Sequence, residues 1–222
     1  RAGMEVVEDC AHAMGARNTM KGDFQCFSFH AVKNMTTGDG GALKCRYEAH
    51  AKKARTMRWL GINKDTHDRS ERDHYSWEYE INEIGHKWQM NDIAAAIGLV
   101  QLAKLDAMNA VRRARADQYR AELGELDYLT LCPADTDHIK SSWHIFWMRA
   151  PKRNELIAYL ANNGIATGVH YRPLHTFPCY GYQPPLPVAE KAFREIISLP
   201  MHCGLTESDV SEVCDRIKEF YA

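Results

Sequence analysis

The sequence predicts an α/β protein in its first half and a smaller α+β unit in its second. Three observations carry that expectation. Short apolar runs suited to buried strands, Met4–Val7, Phe24–His30 and Ala42–Cys45, precede a helical pattern over Glu48–Trp59. One long helical pattern from Asn91 to about Leu123 is long enough to join two domains. Beyond it the grain changes to shorter, alternating elements.

Each element follows from local chemistry. Met4–Val7 is apolar and closes on Glu8-Asp9, as a strand ending in polar residues does. Phe24–His30 alternates aromatics at 24, 27 and 29 with smaller residues, and Thr36-Thr37-Gly38-Asp39-Gly40-Gly41 is turn chemistry ahead of Ala42–Cys45. Residues 61–80 are dense in charge with little periodicity, which predicts a long surface loop. Asn91 is an N-cap residue for the long helix, with Ile93, Ile97 and Val100 on one face. His144–Met148 alternates as a strand, Asn154–Asn163 is a helix stopped by Gly164, and Ile165–Tyr171 is a further strand. Five of the 8 prolines fall between 173 and 187, marking an irregular crossing. Thr206-Glu207-Ser208-Asp209 is a capping-box pattern with Asp for Glu, opening a helix with Val210, Val213 and Ile217 on its face.

Composition narrows the function classes. The 222 residues carry Lys+Arg 28 against Asp+Glu 29, a net charge of -1, which argues against a nucleic-acid backbone or an anionic membrane as the dominant partner. Mean hydropathy is -0.47, and no uninterrupted run approaches the ~18 apolar residues of a membrane span. The 7 cysteines are scattered singly without a CxxC pair, which predicts reduced thiols and a cytoplasmic setting. The 11 histidines show no HExxH or other metal-ligand spacing, so no metal is expected. Because Glu5-Val6-Val7 already reads as a core strand, the chain is expected to be the downstream part of something longer.

A few residues stand where chemistry is done. Lys33 lies between an aromatic strand and a glycine-rich turn, where rigid backbone can hold its amine at the rim of a sheet; the alternative is a solvated turn lysine. Asp9 ends its own strand, so a parallel sheet puts Asp9 and Lys33 at one edge, the edge where open α/β sheets bind ligands. Asp9 also suits a helix cap, and His12 a surface histidine. Ser28 can bond a phosphate or a neighbouring backbone group. Gly38-Asp39-Gly40-Gly41 matches neither GxxxxGK[ST] nor GxGxxG, so a tight turn is the better reading than a phosphate loop.

Taken together, EDCAHA at 8–13 and FSFHAVKNMTTGDGG at 27–41 resemble the DegT/DnrJ/EryC1/StrS family of pyridoxal-phosphate sugar aminotransferases. The resemblance runs on through GHKWQMNDIAAAIGLVQLAKLD at 85–106 and VHYRPLH at 169–175 to SLPMHCGLTESDV at 198–210. It implies that Lys33 forms the internal Schiff base with the cofactor aldehyde, and that Asp9 pairs with the pyridine nitrogen. His12 would stack on the ring and Ser28 bond the phosphate. Gln89, where relatives often carry another polar residue, would reach the phosphate of a neighbouring subunit. His170, Tyr171 and Arg172 would lie near the sugar nucleotide, since Arg suits diphosphate recognition.

The same resemblance implies fold type I, with 1–105 as the C-terminal part of the cofactor-binding large domain. That domain would have a mostly parallel sheet, and 106–222 would be a linking helix and small C-terminal α+β domain. Relatives carry an N-terminal portion ahead of the EDCAHA motif. The implied activity is transfer of an amino group from an amino acid, glutamate by analogy, to a nucleotide-linked keto sugar by a homodimer. Family dehydratases replace the lysine with histidine; Lys33 therefore favours amine transfer. The alternatives are a non-catalytic scaffold or regulatory protein of the same fold, and an inactive truncated fragment.

Overall fold

β1 (Val7–Asp9) and β2 (Phe24–Ser28) run parallel, with Val7 opposite Phe24 and Asp9 opposite Cys26. β3 (Gly41–Cys45) returns antiparallel on the other side of β2, with Ser28 opposite Gly41. These details come from a computed structural model that describes residues 3–17, 21–63 and 78–222. Among the described residues this sheet therefore has one parallel and one antiparallel pair, not the mostly parallel layout expected. Most of the 61–80 loop lies outside the described residues.

β1 begins later than its apolar run suggests. The buried Asp23 carboxylate accepts from the Val6 backbone N–H at 3.0 Å, and the Lys21 N–H donates to Glu8 at 3.1 Å. These polar grips set the register, while Met4 is 72% exposed and Val7 66%. α1 (Glu48–Arg58) follows β3. After it, segment 83–89 lies against the helix end: His86 donates to the Met57 carbonyl at 2.7 Å and Trp88 to that of Arg58 at 2.8 Å. Two glycines permit this approach. Gly61 sits at φ +80, and a Cβ on either Gly61 or Gly85 would collide with the facing backbone.

α2 (Asp92–Leu123) opens on Asn91, whose side-chain oxygen accepts from the Ala94 N–H at 2.9 Å. The chain divides into two compact units, Arg1–Leu105 and Asp106–Ala222, so the boundary falls inside this helix. The apolar stripe on its first turns is open: Ile93 is 78% exposed, Ile97 45% and Val100 55%. α2 also holds an 18-residue window of mean hydropathy 1.2, so by length and composition alone it is apolar enough to cross a membrane, although Lys104 and Asp106 interrupt its apolar run. The core of the first unit is small: Phe29, Met35 and Leu105 are buried, with Met14, Phe27 and Met90 against them.

The second unit has a larger core. β4 (Thr130–Leu131), β5 (Phe146–Arg149) and β6 (Ile196–Leu199) form an antiparallel sheet with β5 central. α3 (Arg153–Asn162) and α5 (Glu207–Tyr221) pack together, and α4 (Pro187–Glu195) starts on the proline that suits a first helical turn. Tyr119, Phe146, Leu160, Ile197, Val210 and Ile217 are wholly buried within this core. The strand expected over Ile165–Tyr171 shrinks to one bridge, Gly168 to Ser198. Gly164 at φ +76 and Pro173 bound that run, which leaves little backbone able to extend a ladder. All seven cysteines are free of disulfides.

Candidate active site

Two parallel strands end at the same edge of their sheet, and each ends in a polar side chain: Asp9 on β1 and Ser28 on β2. The Asp9 Oδ1 accepts from the Ala11 N–H at 3.0 Å, which turns the chain back on itself after the strand. Among the described residues its second oxygen has no protein partner. Glu8 beside it is engaged with the Lys21 N–H, so the two neighbouring carboxylates have separate tasks. His12 follows in the same turn and is half-buried. Cys10 between them is 2% exposed, and burial, reinforced by the charge of Glu8, pushes its thiol up and keeps it protonated.

The Ser28 hydroxyl oxygen accepts from the His30 N–H at 3.3 Å, leaving its proton to donate elsewhere. The chain then makes the loop 29–40 and returns to Gly41, back at Ser28. That loop is tied at its neck: Phe29 donates to the Gly40 carbonyl at 2.9 Å, and Thr37 to that of Phe29 at 3.0 Å. Inside it the Lys33 N–H donates to the His30 carbonyl at 3.0 Å, and Asn34 and Met35 are buried. The lysine backbone is thereby anchored, while the side chain of this half-buried residue has no partner among the described residues. Gly38 at φ +84 and Gly40 at φ +128 adopt the left-handed conformations a tight turn needs. Topology thus brings Asp9, His12, Ser28 and Lys33 to one sheet edge.

Gln89 stands apart from that group. It lines a pocket of about 670 Å³ between α1 and segment 89–92, walled by Lys52, Arg55, Arg58, Trp59 and Asn91 among others. None of Asp9, His12, Ser28 or Lys33 lines it. Sequence reasoning missed this pocket. Its signal was present as Lys52, Arg55 and Arg58, spaced by three on one helix and followed by Trp59.

His170, Tyr171 and Arg172 belong to the second unit. The His170 Nδ1 lies 2.8 Å from the Ser198 hydroxyl, and Tyr171 is 66% exposed. The Arg172 guanidinium donates to the Thr176 hydroxyl at 2.8 Å and its carbonyl at 2.6 Å, and rests over the Phe177 ring at 4.8 Å. Its fork is engaged within its own loop.

Comparison with known proteins bears on this constellation. A sequence model described as the DegT/DnrJ/EryC1/StrS aminotransferase family matches residues 1–218. The chain belongs to that family. An uncharacterized protein of Methanocaldococcus jannaschii is 37% identical over 96% of this chain and 59% of its own length. The crystal structure of the aminotransferase TlmJ from Streptoalloteichus hindustanus superposes with a TM-score of 0.86 at 33% identity, over 98% of this chain and 59% of TlmJ. That of the sugar aminotransferase CalS13 from Micromonospora echinospora does so with a TM-score of 0.84 at 29% identity, over 98% and 60%. This member of the DegT/DnrJ/EryC1/StrS family therefore spans about 59% of the length of the relative it matches.

The residues at the sheet edge fit the family's cofactor. Pyridoxal phosphate needs an anion at its ring nitrogen, a hydrogen-bond donor at its phosphate and a primary amine at its aldehyde. The second oxygen of Asp9, the Ser28 hydroxyl proton and the Lys33 amine, none of them paired among the described residues, have the chemistry these three positions call for.

Proposed function

We propose that this chain acts as a pyridoxal-phosphate-dependent sugar aminotransferase, moving an amino group from an amino acid, glutamate, to a nucleotide-linked keto sugar. The observation that carries this reading is the Asp9 carboxylate at the same sheet edge as Lys33, each with a group that has no partner among the described residues. The cofactor, when bound, supplies an electron sink for the carbanion at the amino-acid carbon.

Asp9 would keep a negative charge beside the ring nitrogen and so favour its protonated form. Ser28 would donate its hydroxyl proton to the phosphate, and His12 would lie against the ring. The Lys33 ε-amine would hold the aldehyde and, once displaced by an amino donor, would carry a proton at the reacting carbon as general base and then general acid. One water would be consumed in releasing the keto acid and one released as the sugar carbonyl carbon takes the nitrogen, so the transfer balances.

Gln89 reaches the cofactor phosphate of a second copy in a homodimer. The open face of α2, with Leu99 71% exposed, supports burial against that copy. A charged Lys104 and Asp106 interrupt the same helix, which favours a protein partner over lipid. Tyr171 is the second unit's exposed candidate for the sugar, and the setting is cytoplasmic.

The test is borohydride reduction of the purified chain with pyridoxal phosphate, followed by peptide mass mapping. A single adduct on Lys33, absent in Lys33→Ala, is expected. Scattered adducts on surface lysines, or none, sink the reading.

A further inference from the structure

Cys10, Cys132 and Cys214 are buried, whereas Cys26, Cys179 and Cys203 are exposed. Burial pushes the Cys132 thiol up and that of Cys214 up to about 12, which keeps both protonated and inert. Of the exposed three, Cys26 stands opposite Asp9 in the sheet, beside a carboxylate, and Cys179 lies in the proline-rich crossing. Cys203 has a different neighbour. Arg112 on α2 is 6% exposed, donates from Nη1 to the Met201 carbonyl at 3.1 Å, and has no carboxylate partner among the described residues. Its Nε is buried without a hydrogen-bond partner. Burial holds the guanidinium below its ordinary 12.5 without discharging it. Among the described residues, Cys203 is the one ionisable group whose charge reaches it. A buried cation left without a counter-charge is unfavourable.

The backbone around Cys203 is held at both ends. The turn 202–205 closes with the Leu205 N–H donating to the His202 carbonyl at 3.3 Å. Arg112 grips the carbonyl just before the turn, and the Arg115 Nε donates to the Leu205 carbonyl at its end, at 3.0 Å. The nearby carboxylates are already engaged: Glu207 faces Arg115 at 3.4 Å, and Asp209 accepts from the Thr206 N–H at 2.8 Å. Gly204 adds no side chain beside the thiol. An accessible sulfur thus sits next to a buried, unneutralised cation, and the attacking form of a thiol is its anion. We propose that Cys203 is a site of reversible S-thiolation by low-molecular-weight disulfides. The Cys203 sulfur anion attacks one sulfur of the disulfide, and a new S–S bond forms as the old one breaks. The departing thiolate carries off the electron pair and takes a proton from water, and a second thiol reverses the step. Arg112 is a positioning residue: it acts through Cys203, offsetting the negative charge on the sulfur before and during the attack. The inference stands apart from the amine-transfer reading, none of whose residues it uses.

The time course of reaction with dithiobis-nitrobenzoate, and peptide mass mapping after brief exposure to glutathione disulfide, test it. A single fast-reacting thiol is expected, roughly tenfold faster than the other exposed ones. It maps to Cys203 and is lost in Cys203→Ser, a change at an exposed position. Arg112→Gln keeps an N–H donor for the Met201 carbonyl but no charge, and it slows the fast phase to the rate of Cys179. Arg112→Lys restores most of that rate, and circular dichroism checks that both variants fold. A second comparison needs no change at Arg112: in urea the lead of Cys203 disappears, because the guanidinium is brought to the thiol only by the fold. A fast phase that maps to Cys26 or Cys179, or equal rates for the three exposed thiols, overturns the proposal. So does an unchanged fast phase in folded Arg112→Gln, or a lead of Cys203 that persists in urea.

Discussion

The Asp9 carboxylate receives the Ala11 backbone N–H on one oxygen at 3.0 Å and keeps the other free of protein partners among the described residues. One bond fixes the side chain's direction, and the second oxygen is left for a ligand. Asp9→Asn keeps the acceptor for Ala11 but removes the negative charge. The amino-donor half-reaction, followed by single-turnover absorbance, is expected to slow by about a hundredfold or more, while the borohydride-stable adduct on Lys33 persists. Loss of the adduct together with the rate would assign Asp9 to folding.

The contact of Gly61 with Gly85 positions the wall that carries Gln89. Gly85→Ala places a methyl group against the backbone of Gly61, Met57 and Leu60. It is expected to destabilise the chain by about 2 kcal/mol. Urea unfolding measures this, and a native value would show that the segments approach less closely than described.

Leu99 is 71% exposed on α2, so a charge there meets no core. Leu99→Glu is expected to leave far-UV circular dichroism unchanged and to convert a dimer into a monomer by sedimentation velocity. A sedimentation coefficient equal to that of the native chain would exclude this face as the subunit interface.

At α5 the Thr206 hydroxyl accepts from the Asp209 N–H at 3.1 Å while the Asp209 carboxylate accepts from the Thr206 N–H at 2.8 Å. Thr206→Ala is expected to lower unfolding stability by about 1 kcal/mol.

Acid should act through the same helix. The Thr206 backbone N–H, and then its hydroxyl, hold the Asp209 carboxyl below its ordinary value of 3.8. Burial opposes the same shift at Glu122, but bonds from Gln118 and Ser211 and the Lys218 charge prevail and hold it below 4.5. Both folded values are depressed, so the unfolded chain binds more protons in acid. The stabilisation is complete above the ordinary values and is lost as pH falls through the lower folded ones. Melting temperature should stay flat from neutral pH to near those ordinary values and then fall. Asp209→Asn should make that fall shallower; an identical slope would remove the residue from the acid transition.

What could be read from the sequence was local. The caps at Asn91 and Thr206 need only residues three apart, and β2, β3 and α1 sit close to their apolar and turn signals. The Lys33 loop was legible because its glycines, threonines and lysine are contiguous. The run 165–171 was misjudged because a strand needs a partner, and β6, some 30 residues away, offers it only Ser198. The stripe of Ile93, Ile97 and Val100 has the period of a core face, but period alone does not say what covers it. The pocket escaped notice because its walls meet through Gly61 and Gly85, a tertiary contact without local pattern.

The small core of the first unit has a consequence during synthesis. Phe29 and Met35 are buried together with Leu105, which is translated about 70 residues after Met35, a delay of roughly 4 to 14 seconds at ribosomal speed. Through that interval the cofactor-side loop has left the ribosome without its hydrophobic lid. The nascent chain is therefore expected to engage holdase chaperones until α2 emerges, and a ribosome stalled before residue 105 should carry them where one stalled far enough past residue 123 for α2 to clear the exit tunnel does not.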